Sequence, residues 1–165
     1  MPQIIAPQEY NITSPRLVVF LAGSIEMGKA SDWQDVVAKK ILSAHPEIII
    51  ANPRRKSWDN SWKQSITNPH FSNQVNWELD YLTRADLAFF YFEPNTKSPV
   101  TLMELGYHLA QKNASEKTII CCPDGFWRKG NVEIMAQRAG IDIVFNSMDV
   151  TINKAINIIS NMLNK

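Results

Sequence analysis

From Leu17 to Ala22 the chain reads Leu17-Val18-Val19-Phe20-Leu21-Ala22 without a polar position, then stops at Gly23-Ser24. A continuous, β-branched apolar run closed by a turn signal predicts a strand buried on both faces. Trp33, Val36, Val37, Ile41 and Leu42 then stand near helical spacing, which predicts a helix from Ser31 to Ala44 with Ser31 or Asp32 to cap it. Ile48-Ile49-Ile50-Ala51 is a second apolar run, ended by Asn52-Pro53-Arg54-Arg55, where proline stops regular structure. The polar stretch from Lys56 to Pro69, with Trp58 and Trp62, is longer than an ordinary connection and is expected to be a functional loop. Val75, Leu79 and Leu82 predict a helix from Ser72 to Arg84, after which Asp86 introduces the apolar strand Leu87 to Phe92. A proline-bounded turn leads to a helix over Thr101 to Lys112. A strand over Thr118 to Cys122, a helix over Asn131 to Ala139, a strand over Asp142 to Phe145 and a final amphipathic helix carrying Val150 to Leu163 complete the pattern. The lead as far as Ser14-Pro15 reads as polar and predicts no element.

Strands that are apolar throughout and alternate with helices predict an α/β domain: a parallel sheet sandwiched by helices. Five such strands favour the flavodoxin-like, doubly wound order 2-1-3-4-5, in which ligands bind beyond the carboxyl ends of the strands. Without an internal repeat, low-complexity tract or linker, residues 1–165 read as a single domain.

Composition narrows the class of partner. The chain is 45% hydrophobic and 20% charged, and 17 basic residues against 16 acidic ones leave a formal charge of +1. That charge produces no field to draw in a nucleic-acid polymer or a membrane surface, so a small-molecule partner is expected. Cys121 and Cys122 are adjacent in an apolar run and are read as buried, reduced thiols. Met1-Pro2-Gln3-Ile4 is not a basic leader, and no apolar run approaches the roughly 18 residues of a membrane span, so a cytoplasmic protein is expected. His45, His70 and His108 lack metal-ligand spacing, and neither a metal nor a cofactor is expected.

Three segments fall at predicted strand carboxyl ends: Gly23 to Gly28, Asn52 to Arg55, and Ser98 to Glu104. The glycines of the first let backbone N–H groups approach a sugar or phosphate, although a tight turn needs them equally. Arg54 and Arg55 suit a phosphate or a base, or a solvated edge. Trp58, Trp62 and Phe71 suit base stacking or packing of their own loop. Glu104 stands among Leu102, Met103 and Leu105, in what the pattern predicts to be the first turn of a helix beside the crevice. Spacing alone fits either a chemical role or a solvated glutamate that favours the helix dipole.

The stretch Ser98-Pro99-Val100-Thr101-Leu102-Met103-Glu104-Leu105-Gly106-Tyr107, after Asp86 and its apolar strand, resembles the nucleophile segment of nucleoside 2-deoxyribosyltransferases and related nucleotide N-glycosidases. Phe20-Leu21-Ala22-Gly23-Ser24-Ile25 is similar to the opening strand and loop of the deoxynucleoside monophosphate hydrolase branch. The resemblance runs from about residue 17 to about residue 140 and points to the divergent nucleoside 2-deoxyribosyltransferase-like branch. It implies cleavage of an N-glycosidic bond through a glycosyl ester on Glu104, with transfer of the sugar to another base or to water. Such chemistry needs a carboxylate on one face of an oxocarbenium-like centre and a proton for the departing base. Counting back eight positions from Asp86, the resemblance assigns the proton to Glu78, with Asp80 as substitute if the helix register differs.

Ser98 matches the serine that hydrolase relatives use for a 5'-phosphate, where transferases have an aspartate for the 5'-hydroxyl. The flanking glycines of both groups are replaced by Pro99-Val100-Thr101. Phe20 stands where relatives have a tyrosine that positions the nucleophile, which leaves Tyr107 or Tyr91 to tune Glu104. Asn131 resembles the asparagine that relatives lend to a neighbouring subunit, implying a homo-oligomer; alone, it reads as a cap after Gly130. The expected substrate site therefore comprises Gly23, Ser24, Asn52, Arg54, Ser98, Thr101 and Asn131 around Glu104 and Glu78. The alternatives are a nucleoside 5'-monophosphate N-glycosidase and a non-catalytic nucleotide-binding module.

Overall fold

The computed structural model describes residues 3–8, 16–55, 59 and 61–165. Trp58, one of the aromatics considered for base stacking, lies outside the described residues. The sheet has five strands, β1 (Gln3–Ile5), β2 (Val18–Gly23), β3 (Ile49–Asn52), β4 (Leu87–Tyr91) and β5 (Thr118–Cys121), all parallel, in the order β1-β3-β2-β4-β5. Helices α1 (Trp33–Ala44) and α5 (Met148–Leu163) cover one face. The other face is covered by α2 (Pro69–Arg84), α3 (Pro99–Leu109) and α4 (Lys129–Arg138). This is an α/β, doubly wound, flavodoxin-like arrangement.

The period of two along each strand sorts the core into its two layers. Phe20 and Ala22 of β2 and Phe90 of β4 meet Trp77, Tyr81 and Leu82 of α2 and Leu105 of α3. Val19 and Leu21 of β2 and Phe89 of β4 meet Trp33, Val37 and Ile41 of α1 and Ile152 and Ile159 of α5. Phe20, Phe89, Phe90 and Phe92 are fully buried. Each such side chain contributes roughly 1.5–3 kcal/mol through removal of its surface from water. At the start of the central pair, the Val18 N–H donates to the Asp86 carboxylate at 2.8 Å and the Asp86 N–H donates to the Val18 carbonyl at 2.9 Å. Asp86 thus pins β2 to β4 at their amino ends.

One predicted strand needs correction, and one strand was not predicted. Asp142 to Phe145 does not form a strand: only Phe145 bridges Cys121, with the Phe145 N–H donating to Ile120 O and the Cys122 N–H donating to Phe145 O, both at 2.8 Å. Ile143 is exposed, so the segment lacks the two buried faces that would carry it on as a strand. The fifth strand is instead β1, paired with β3 outside the predicted order, where the buried Ile4 joins the core. Two isoleucines in a polar lead were too short a pattern to mark it.

Helix starts also shift. α2 begins at Pro69 rather than Ser72, because the Asn68 side chain accepts from the N–H groups of His70 and Phe71 and proline takes the first turn. α3 begins at Pro99, which moves Glu104 out of the first turn and away from the helix dipole. α4 begins at Lys129, so Asn131 lies inside the helix and does not cap it. Asp32 sits at the N-cap of α1, yet no side-chain bond caps that helix. Among the described residues no helix is long and apolar enough to cross a membrane.

Candidate active site

Beyond the carboxyl ends of β2 and β3 lies a cleft of about 710 Å³. Its walls are the loop after β2 (Gly23, Glu26), the loop after β3 (Pro53, Arg54, Arg55), the face of α2 (Phe71, Gln74, Glu78) and the start of α3 (Ser98, Thr101, Glu104). Four sequence-distant segments converge because the strand order reverses between the adjacent β2 and β4, whose following helices α1 and α3 lie on opposite faces of the sheet. Gly23 is required by close approach: a Cβ there would lie 2.4 Å from the Tyr91 carbonyl oxygen and 2.5 Å from the Trp33 ring. The tryptophan fits against that bare backbone and donates its indole N–H to Ser24 O at 2.9 Å.

Glu78 and Glu104 come from different helices, both line this cleft, and the charge of Glu78 acts on Glu104. Burial pushes the Glu78 carboxyl up to about 7, partly offset by a hydrogen bond donated by Gln74 Nε2 at 2.7 Å. Burial also raises Glu104 well above the usual carboxylate range, and the charge of Glu78 raises it further. Among the described residues nothing donates a hydrogen bond to the Glu104 carboxylate. Two carboxyls that share a poorly solvated cleft retain a proton between them near neutral pH, and that proton belongs to the pair. The Gln74 hydrogen bond favours ionised Glu78 and so opposes the effect of its burial.

Gln74 was not singled out from the sequence. Its Nε2 donates to Glu78 and, at 3.1 Å, to Pro53 O, while its Oε1 accepts from Arg55 Nη1 at 3.3 Å. The amide is thus fixed on three sides, and Glu78 with it. Arg55 lies over the ring of Trp62, 4.8 Å from its centroid, and Trp62 stacks on His70 with centroids 5.1 Å apart. Trp62 is thereby anchored on the α2 start through His70 and beside Gln74 through Arg55.

The remaining expected site residues divide. Gly23, Arg54, Ser98 and Thr101 line the cleft. Arg54, however, is occupied by the carbonyls of Ala30 and Ser31 and by Gln34, and so ties two loops together. Ser24 is fully buried; its hydroxyl accepts from the Glu93 N–H at 2.9 Å and bonds the hydroxyls of Thr96 (3.0 Å) and Ser98 (2.6 Å). Asn52 is buried beneath the cleft wall, where its side chain accepts from the Arg54 N–H at 2.9 Å. Asn131 lines a separate, shallower groove between α3 and α4, and Asp80 is exposed.

Neither tyrosine considered as a partner for Glu104 reaches it. Tyr107 is exposed on α3, and Tyr91 packs edge-on against Trp33 in the layer beneath α1. Phe20 contributes only packing, against Trp77. Among the described residues no three His, Cys, Asp or Glu side chains gather closely enough to hold a metal ion.

The two raised carboxyls fix the sign of a stability effect. A carboxyl whose folded pKa exceeds its unfolded value binds more protons in the folded state, so stability falls as pH rises from the ordinary 4.5 through about 7 for Glu78. Glu78→Gln keeps an acceptor for Gln74 but cannot ionise. Its melting temperature is expected to exceed that of the wild type at pH 8, with the gain shrinking toward pH 4. An equal difference at both pH values would contradict the burial of this carboxyl.

The family model described as "Nucleoside 2-deoxyribosyltransferase like" matches residues 16–126, more than half of the chain. No curated protein matches. Among solved structures, the crystal structure of a conserved protein from Enterococcus faecalis V583 is similar in fold, with a TM-score of 0.54 and 10% identity over 90% of this chain and 99% of that one.

Proposed function

Because the chain belongs to the nucleoside 2-deoxyribosyltransferase-like family, we propose that it breaks the N-glycosidic bond of a nucleoside and transfers the (deoxy)ribosyl group to another base through an ester on Glu104. The observation that carries this reading is the pair of carboxyls itself, brought from two helices into one poorly solvated cleft. A nucleoside placed with its anomeric carbon at Glu104 and its base toward Glu78 changes where the pair's proton resides. Positive charge developing on the sugar favours ionised Glu104, and the basic nitrogen of the leaving group favours protonated Glu78. A Glu104 carboxylate oxygen then bonds to the anomeric carbon as the carbon–nitrogen bond breaks. The bonding pair leaves with the base, which takes the Glu78 proton. In the second half, Glu78 accepts a proton from the incoming base while that base displaces Glu104, so the anomeric configuration is retained.

Phe71 and Arg55, the latter braced on the Trp62 ring, give the cleft an aromatic and a cationic group suited to a purine or pyrimidine at the Glu78 end. An assay of the purified chain on nucleosides, with and without a second base, tests the reading. The expected result is exchange of bases, faster than release of free sugar. Absence of both activities across purine and pyrimidine nucleosides would overturn it.

A homo-oligomer belongs to the same reading. Met103 and Tyr107 on α3 and Ile134 and Met135 on α4 leave apolar side chains exposed on the two helices that form the groove containing Asn131, and patches of this kind mark contact surfaces. Light scattering is expected to report a mass above one chain. An active protein of one chain's mass would remove the shared-site idea.

A further inference from the structure

Glu26 follows β2 in a short 3-10 turn, with a left-handed backbone (φ +49°) that non-glycine residues adopt at a cost. Its side chain reaches across to the start of α3, where Oε1 accepts from the N–H groups of Lys97 (2.9 Å) and Ser98 (2.5 Å). Ser98 is itself left-handed (φ +44°) and buried, with its hydroxyl turned inward to Ser24 and Thr96. Both Glu26 and Ser98 line the cleft that holds Glu104.

The consecutive N–H groups leading into α3 are donors that would otherwise suit an anionic group. Here a carboxylate of the protein fills them and places its own negative charge at that end of the cleft. Among the described residues the second oxygen of Glu26 accepts no hydrogen bond. Glu104 stands six residues further along α3, about 9 Å of helix axis at 1.5 Å per residue. Side chains on a helix lean toward its N-terminus, which brings the Glu104 carboxyl back within reach of a pentose whose far end meets Glu26.

We propose that Glu26 is a specificity-determining residue, which admits a sugar with a free hydroxyl at the end remote from the base and rejects the same sugar carrying a phosphate there. The proposal rests on the glycosidic reading of the cleft for the orientation of the sugar. A hydroxyl donates to the free carboxylate oxygen. A phosphate meets like charge and finds the N–H groups already taken, and such juxtaposition in a cleft is costly.

Isothermal titration of the 165-residue chain with a nucleoside and with its 5'-monophosphate tests this apart from turnover. The wild type is expected to bind the nucleoside at least about tenfold more tightly. Glu26→Gln keeps an acceptor for the two N–H groups without the charge, and Glu26→Ala exposes them. Both are expected to narrow the ratio, and Glu26→Ala is expected to gain affinity for the monophosphate. Equal wild-type affinities, or no binding of either ligand, would overturn the proposal whether or not the variants fold. A preserved preference without any bond cleavage would support Glu26 as the selector and overturn the proposed reaction alone. Equal kcat/KM on both substrates would do the reverse.

Discussion

Glu104→Gln is expected to lower base exchange by about 10³-fold or more, the order of loss seen when a group that forms the covalent intermediate is removed. Glutamine is nearly isosteric and cannot attack the anomeric carbon. It also removes the repulsion that Glu78 exerts on its neighbour, so the fold should be retained or strengthened. Steady-state assays on a nucleoside with an acceptor base, beside a thermal melt, separate the two effects. Nucleoside binding should survive, because hydroxyl groups and the base make contacts that do not involve the nucleophile. Wild-type turnover in a folded Glu104→Gln protein would end the covalent mechanism. A parallel loss of turnover and stability would instead assign Glu104 to the structure.

The second large effect is at the leaving group. Expelling a base as an anion is costly, and a positioned acid contributes about 10²- to 10⁴-fold. A carboxyl can supply that proton near neutral pH only if its pKa is raised, and burial brings Glu78 to about 7. Glu78→Gln should therefore slow exchange of ordinary bases by about 10²- to 10⁴-fold. It should slow far less the release of a nitrophenyl glycoside, whose leaving group departs without a proton. For the wild type, rate should fall as pH rises through the titration of the pair, and this limb should disappear in the variant. Equal losses on both substrates would make Glu78 a binding or structural residue. A selective loss in Asp80→Asn would move the acid role, against the exposed position of Asp80.

Much of this arrangement was legible in the sequence because its signals are local. Leu17 to Ala22 and Leu87 to Phe92 are apolar on both faces, and that property produces the central pair β2 and β4. The carboxyl ends of these strands then had to converge, which places Gly23 and the Ser98 loop on one cleft. Glu104 and Glu78 were marked by a family pattern, and the fold brings them to a common space. β1 escaped because Ile4 is buried only through pairing with β3, a contact 47 residues distant in the register Ile4 to Ala51. The false strand at Asp142 to Phe145 has strand-forming residues, but only Phe145 finds a partner.

The residues missed at the site follow the same division. Gln74 stands four positions before Glu78, and helical spacing could have suggested that the two touch. Glu26 offered no such signal. Its partners are backbone N–H groups 71 and 72 residues away, and nothing in a side-chain pattern marks a backbone donor at that distance. Arg54 was legible as a cation in the right loop, but its use depends on the carbonyls of Ala30 and Ser31, which the fold alone brings beneath it. The tyrosine absent at position 20 has no substitute among the described residues. Glu104 is therefore governed by burial and by Glu78 instead of by a phenol.

The most direct test of the central claim is mass spectrometry of the wild-type chain after incubation with a slowly turned-over 2'-fluoro nucleoside. The account predicts one glycosyl adduct per chain, carried by the peptide that contains Glu104 and released when an acceptor base is added. An adduct on Glu78, or exchange of bases without any covalent adduct, would contradict it.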